Sequence, residues 1–380
     1  MQSFALARVP EIIFGAGCIS ELPARATLLA GKSARLAIIA DPALSALGIV
    51  ARALAILRQA GHEACVYDGL KGEPKTANVD EAAALAREHR AKAVIGLGGG
   101  SALDMAKLVA SCAVSGKPVE TYQLCESPLP ADHLPIIAIP TTAGTGAEVT
   151  RTCIFTNSRH EKVWAWGDET KPEVAILDPE LTLGVPPPVT AATGLDALVH
   201  AIEASTNRNR HDGSDLYCHR AITLIAGNLE RAVKEPSDVD ARGAMLLASC
   251  YAGIGIDNCG TALAHNISHA IANLAPIPHG RATGLAMFAT IDWAAEGNPS
   301  AFGRIGAAMG GGDAVTSYRN LVRSSGIKIS LQDEGLELNR PELLAEQMAL
   351  PANSSMRNAT MRRPSDADLL MLAERVYALN

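Results

Sequence analysis

Short apolar runs alternate with helix-periodic stretches through the first half of the chain. Leu36–Ala40 (LAIIA), Lys92–Leu97 (KAVIGL), Pro135–Ile139 (PIIAI) and Val174–Leu177 (VAIL) are continuously apolar rather than alternating. That pattern marks strands buried on both faces of a parallel sheet. A further strand is predicted near Ala64–Tyr67. Residues 43–60 and 79–91 place apolar side chains at helical spacing and predict helices between those strands. Strand and helix in alternation predict a parallel sheet covered on both sides. Cys153–Thr156 and Lys162–Trp166 flank NSRHE and predict a hairpin. Beyond Leu177, strand-like runs nearly vanish and Ala/Leu/Ile segments with helical spacing take over. The prolines Pro186–Pro188 mark the predicted linker between an α/β domain, residues 1–185, and an all-α domain, residues 186–380.

Candidate chemistry falls at the strand ends and on two of the later helices. KAVIGL runs into Gly98-Gly99-Gly100-Ser101, which opens a helix. Glycines let backbone approach a phosphate, and free N–H groups at a helix start favour negative charge. The pattern is not G-x-G-x-x-G, and a plain flexible turn is the other reading. Asp41 ends LAIIA, where a carboxylate can accept from ribose hydroxyls and repel a 2′-phosphate, favouring NAD over NADP. A helix cap or Asp-Pro turn is the alternative there. The loop Thr141–Thr150 suits ligand contact or a Thr-rich turn.

Asp196 and His200 lie four apart on an apolar helix, where a carboxylate needs a cation or donors. In Thr261–Arg281 (TALAHNISHAIANLAPIPHGR), His265 and His269 share a helical face and His279 follows a Pro-Ile-Pro break. Asp196, His200, His265 and His279 together would make a complete shell for a first-row divalent metal. An Asp–His hydrogen bond and a polar helix end are the plainer readings. His62, His89, His133, His160, His211 and His219 lie in polar contexts and read as solvated, with His211 and His219 the main rivals as ligands.

Composition narrows the function. The chain has 380 residues, enough for about two domains, and 48% are hydrophobic. A net charge of −7 with no basic cluster, and only 4% aromatics, argue against nucleic acid as a partner. No apolar run approaches the ~20 residues of a membrane span, and the start lacks a secretory leader, so a cytoplasmic protein is expected. None of the eight cysteines is spaced C-x-x-C, so they read as small buried hydrophobes.

With FGAG (14–17), IAD (39–41), GGGSALDMAK, PTTAGTGAEVT, ILDPEL, TGLDALVHAIEA and the H-x3-H…HG segment in order, the chain resembles the iron-containing (group III) alcohol dehydrogenase family over nearly its whole length. The motifs resemble those of lactaldehyde reductase-like and 1,3-propanediol dehydrogenase-like members. The resemblance implies a Rossmann-like N-terminal dinucleotide-binding domain, an all-α C-terminal domain and a dehydroquinate synthase-like architecture, with a divalent metal in the cleft. It implies Asp196, His200, His265 and His279 as ligands of Fe2+ (or Zn2+) and His269 as a proton carrier. It implies Gly98, Gly99, Gly100 and Ser101 around the pyrophosphate, Thr141, Thr142, Thr145 and Lys162 on the nicotinamide side, and Asp41 for NAD over NADP. A homodimer acting on a small primary alcohol or hydroxy compound is the expected form. Glu73-Pro74, Ile256 and Arg281 depart from patterns seen in some relatives. A metal-independent reductase of oxo-acids such as maleylacetate is the rival, in which the histidines act as proton donors and carboxylate binders; Arg151 and Arg281 keep it open.

Overall fold

The computed structural model describes residues 3–331, 336 and 340–379. The α/β unit opens with β1 (Glu11–Phe14) and α1 (Leu22–Ala30), followed by β2 (Arg35–Ala40), α2 (Pro42–Ala46), α3 (Ile49–Gln59) and β3 (Glu63–Tyr67). It continues through α4 (Thr76–Glu88), β4 (Val94–Gly98), α5 (Gly100–Ser115), β5 (Ile136–Pro140), the antiparallel hairpin β6 (Thr152–Thr156) and β7 (Lys162–Trp166), and β8 (Val174–Leu177). Six strands form one parallel sheet in the order β1-β8-β5-β4-β2-β3.

Burial explains the strand sequences. β4, β5 and β8 are buried at every position, whereas edge strands β1 and β3 are partly exposed. On β2, Ala37 and Ile39 face a core shared with α4 and α5. Leu36, Ile38 and Ala40 face the opposite core with α1 and α3. Each face thus takes alternate residues, and both are apolar. From β2 the chain steps outward to β3, then returns to β4 and continues the other way through β5 and β8. The order therefore reverses between β2 and β4, the crevice where open α/β sheets bind ligands at the strands' carboxyl ends.

The structure differs from the expected elements at three points. The single helix over 43–60 is two helices, broken where Gly48 takes a left-handed φ of 75°. β1 was not anticipated, because four residues on a half-exposed edge give almost no periodic signal. The three prolines open a helix instead of running as an extended segment: Pro186 is the N-cap of α6 (Pro187–Thr206) and the other two occupy its first turn, while the last division between the two compact units falls just before them, at Gly184/Val185. Proline costs nothing there, since the first-turn N–H groups have no helical acceptor.

The helical unit comprises Val185–Asn380 together with Met1–Ala7 and Ala143–Thr145; the α/β unit comprises Arg8–Thr142 and Gly146–Gly184. After α6 come α7 (Asp212–Lys234), α8 (Val239–Cys259), α9 (Leu263–Ala272), α10 (His279–Gly297), α11 (Pro299–Ala308), α12 (Ala314–Ser324), α13 (Pro341–Ala349), α14 (Ser354–Ala359) and α15 (Asp366–Tyr377). α6 is buried almost all the way round and sits at the centre of one apolar core, against α7, α8 and α10. A helix that is apolar on all sides has no solvent face to present. Among the described residues no helix is long and apolar enough to cross a membrane.

Candidate active site

Three ionisable side chains converge in the helical unit. Asp196 projects from the middle of α6, His265 from the first turn of α9, and His279 is the first residue of α10. One ligand atom from each lies within 4.8 Å of the others. Asp196 Oδ1 is 3.7 Å from His265 Nε2 and 3.6 Å from His279 Nε2. Those separations are too long for hydrogen bonds. They are close to the ~3.4 Å expected between two ligands of one tetrahedral ion with bonds of ~2.1 Å.

His200, one turn after Asp196, flanks these three and borders both Asp196 and His265. Its ring stacks on that of His265 with centroids 4.5 Å apart. Its Nδ1 is 4.0 Å from Asp196 Oδ2 and 3.3 Å from the carbonyl oxygen of Gly144. His269 is half-buried one turn beyond His265, and its ring meets that of His279 edge-on, centroids 5.6 Å apart.

The Nδ1 atoms carry the organising pattern. His200 Nδ1 meets Gly144 O, His265 Nδ1 meets Glu203 Oε2 at 2.6 Å, and His279 Nδ1 meets Ser268 Oγ at 3.2 Å. An imidazole anchored at Nδ1 offers Nε2. Burial, with the neighbouring His200 adding to it, pushes the His265 imidazolium down to about 3, so the ring is neutral and its Nε2 carries a lone pair. Both His265 Nε2 and Asp196 Oδ1 are buried and find no hydrogen-bond partner among the described residues. Two orphaned acceptors facing each other would be costly unless a cation lies between them. The donor set, imidazole with carboxylate, therefore fits a first-row divalent metal.

In the α/β unit, Asp41, Gly98, Gly99, Gly100 and Ser101 lie at the carboxyl ends of the adjacent strands β2 and β4. Gly98 ends β4 with a φ of 151°, and a Cβ there would lie 2.7 Å from Ala102 Cβ and 3.2 Å from Asp41 Cβ. No other residue fits that position. Gly99 is the N-cap of α5, with Gly100 and Ser101 in its first turn, and no side chain caps this end. Thr141 N donates to Gly98 O, and Thr142 Oγ1 would lie 3.3 Å from a Cβ on Gly99. Asp41 does serve as the N-cap of α2, with Oδ1 accepting from Ala43 N. Thr145 is grouped with the helical unit, apart from Thr141 and Thr142. Lys162 opens β7 and is paired with Glu73, Nζ to Oε1 at 2.5 Å.

The pattern described as iron-containing alcohol dehydrogenase matches residues 10–179, and that of the family's C-terminal part matches residues 190–377. The chain belongs to the iron-containing alcohol dehydrogenase family. Membership makes it an oxidoreductase. The 1,3-propanediol dehydrogenase of Klebsiella pneumoniae is 34% identical over 370 residues, 92% of this chain and 93% of the relative. The crystal structure of a 1,3-propanediol oxidoreductase matches with a TM-score of 0.91 at 31% identity, covering 99% of this chain and 100% of that one. Sulfoacetaldehyde reductase from Bifidobacterium kashiwanohense, solved in complex with NAD+, matches with a TM-score of 0.91 at 28% identity over 100% of both chains.

Several residues of this family member went unnoticed at the level of sequence. Glu203 lies seven residues after Asp196, on the same side of α6, and is buried. Burial pushes its carboxyl up to about 7, against the lowering effect of the N–H groups it accepts from. The i, i+4, i+7 spacing of Asp196, His200 and Glu203 was the available signal. Lys107 is fully buried, with Nζ donating to Asp104 Oδ1, Thr150 Oγ1 and Thr152 O. Burial raises the Asp104 carboxyl, and Lys107 is the main influence opposing that. Glu148 is buried with no hydrogen-bond partner for Oε1 among the described residues, and burial raises its carboxyl to about 7. Two histidines read as solvated are instead buried and structural. His62 Nδ1 accepts from Ala34 N, and His211 caps α7 and stacks on Phe4.

Proposed function

We propose that this chain interconverts a small primary alcohol or hydroxy compound and its aldehyde or ketone, with NAD as hydride carrier and Fe2+ (alternatively Zn2+) held by Asp196, His200, His265 and His279. One observation carries this reading: a buried carboxylate oxygen and a buried imidazole nitrogen face each other at 3.7 Å, and neither has a hydrogen-bond partner among the described residues. When bound, such a metal acts as a Lewis acid that lowers the pKa of an alcohol hydroxyl and stabilises the negative charge developing on its oxygen.

This chain's own residues supply the rest. The Asp196 carboxylate and the neutral ring of His265 set the charge of the site. A ring nitrogen of His269 takes the hydroxyl proton and passes it outward, so that alcohol and NAD+ give aldehyde, NADH and one proton. The uncapped first turn of α5, at Gly99, Gly100 and Ser101, binds the pyrophosphate through its N–H groups. Asp41 accepts from the ribose hydroxyls. Thr141, Thr142, Thr145 and Lys162 serve the nicotinamide side, and Lys162 exchanges Glu73 for the cofactor when it binds.

The oxo-acid rival has less support. Arg281 donates to the carbonyls of Lys328 and Ser330, and Arg151 lies over the Trp166 ring and pairs with Asp168. By family likeness we also propose a homodimer, which light scattering of the purified protein tests, and a cytoplasmic location, which fractionation of cells tests. The test of the reaction is NADH oxidation with short aldehydes before and after chelation. Activity should vanish with the metal and return with Fe2+ or Zn2+, and Asp196→Ala should neither bind metal nor turn over. Undiminished turnover in fully stripped protein would sink the proposal.

A further inference from the structure

We infer that Glu203 is the positioning residue for His265: it fixes which ring nitrogen faces the metal and holds the start of α9 where that nitrogen can reach. The inference rests on the metal reading above and adds a residue to it. Glu203 accepts from Ala262 N at 2.7 Å and Ala264 N at 2.6 Å, and its Oε2 makes a third hydrogen bond with His265 Nδ1 at 2.6 Å, in which an ionised carboxylate can only accept. The first two matter because α9 has no cap of its own: its N-cap is Ala262, and no side chain there bonds the first turn. Exposed first-turn N–H groups can turn to water, but these are buried, so a carboxylate from α6 takes the place of the missing cap.

The third bond links that cap to the chemistry. A carboxylate accepting from Nδ1–H leaves Nε2 as the bare nitrogen, the one 3.7 Å from Asp196 Oδ1. The other two anchors are weaker determinants. Gly144 O meets His200 at 3.3 Å, and the Ser268 hydroxyl, at 3.2 Å from His279, can donate as readily as accept. Glu203 is the shortest of the three contacts and the one made by a carboxylate. It also ties α9 to the helix that bears Asp196 and His200, so ligands from two helices are registered through one side chain.

Glu203→Gln keeps the shape and inverts the logic. An amide cannot accept from all three donors. When its NH2 faces His265 it donates to Nδ1, and the ring proton moves to Nε2, where a metal has to bind. The measurement is Co2+ affinity of metal-stripped full-length protein, by competition with a chromophoric chelator. Circular dichroism melting of the same samples reports the fold. Glu203→Gln should weaken Co2+ binding about 10–100-fold, the usual effect of losing a partner that orients a ligand. In a His265→Ala background the same substitution should change affinity less than about two-fold, because the ring it acts on is gone. A role confined to capping predicts a lower melting temperature with affinity intact. Wild-type affinity in Glu203→Gln, or an equal loss with and without His265, would overturn the inference. Should Glu203→Gln fail to fold, Glu203→Asp, which keeps the charge but lacks the reach, is held to the same two criteria. Failure of the underlying reading looks different: Co2+ binding that Asp196→Ala leaves untouched removes the metal site, and this inference with it.

Discussion

Gly280 offers a sharp test of how closely α10 must approach α6. It follows His279 directly, and a Cβ built there would lie 2.5 Å from the carbonyl oxygen of Ala192, 3.0 Å from its carbon and 3.2 Å from Asp196 Cβ. Both neighbours belong to α6, and the oxygen is backbone, so neither can rotate away. Relief to an ordinary contact of ~3.5 Å moves the start of α10 by about 1 Å. For stability the effects nearly cancel. Overpacking costs about 1–3 kcal/mol, while replacing glycine in a helix returns about 1 kcal/mol. For the site they do not cancel, because His279 moves with its neighbour. Metal ligands tolerate about 0.2 Å, and a 1 Å misplacement can cost about 100-fold in rate. Gly280→Ala should therefore melt within a few degrees of the parent, bind metal far more weakly and lose about two orders of magnitude in kcat/KM. Gly303→Ala on α11, where a Cβ would meet nothing within 4 Å, is the control and should be slightly stabilising with turnover unchanged. A Gly280→Ala protein with parental metal affinity and turnover would show that the helix approach does not set the site.

Two further outcomes follow from buried carboxylates and from the strand-end aspartate. Glu148 holds its proton to about pH 7 in the folded chain but loses it near 4.5 when unfolded. Below 4.5 both states are protonated; between 4.5 and 7 only the unfolded state has ionised, so stability falls with rising pH and the full penalty, on the order of 3 kcal/mol, stands above 7. Glu148→Gln should accordingly gain stability over the parent at pH 8 but little at pH 5 in urea unfolding, and parallel pH profiles would contradict the assignment. At Asp41, removal of the carboxylate in Asp41→Gly should raise kcat/KM with NADPH relative to NADH by about tenfold or more, since repulsion of the 2′-phosphate is lost; an unchanged cofactor ratio in steady-state assays would leave Asp41 with the helix cap alone.

The runs LAIIA, KAVIGL, PIIAI and VAIL were readable because a strand covered on both faces must be apolar at every position. EIIF was not, because an edge strand of four residues carries too few positions to show a period. Gly48 and Pro186–Pro188 each hid the start of a helix. An isolated glycine inside a helical pattern concealed a break, and a proline run that reads as a linker is tolerated at a helix start. In the site, the i, i+4 spacings were visible because both members of each pair carry distinctive side chains. Glu203 was passed over because two of its three partners are backbone N–H groups of Ala262 and Ala264, which no sequence pattern advertises. The burial of His62 was hidden for the same reason: its Nδ1 partner is the backbone of Ala34.

Neither structural unit is a continuous piece of the gene. The chain passes from one to the other after Ala7, Thr142, Thr145 and Gly184. Three residues from the loop after β5 thus belong with the helices, and one of them, Gly144, supplies the carbonyl that meets His200. Phe4, from the N-terminal arm, stacks on His211. A fragment starting at Val185 would keep all four proposed ligands yet lack the anchor of one and the support beneath α7. Exchange of C-terminal halves between family members at that junction would likewise pair each His200 with a foreign loop. The unit of inheritance and of engineering is therefore the whole chain, however cleanly the motifs divide along it.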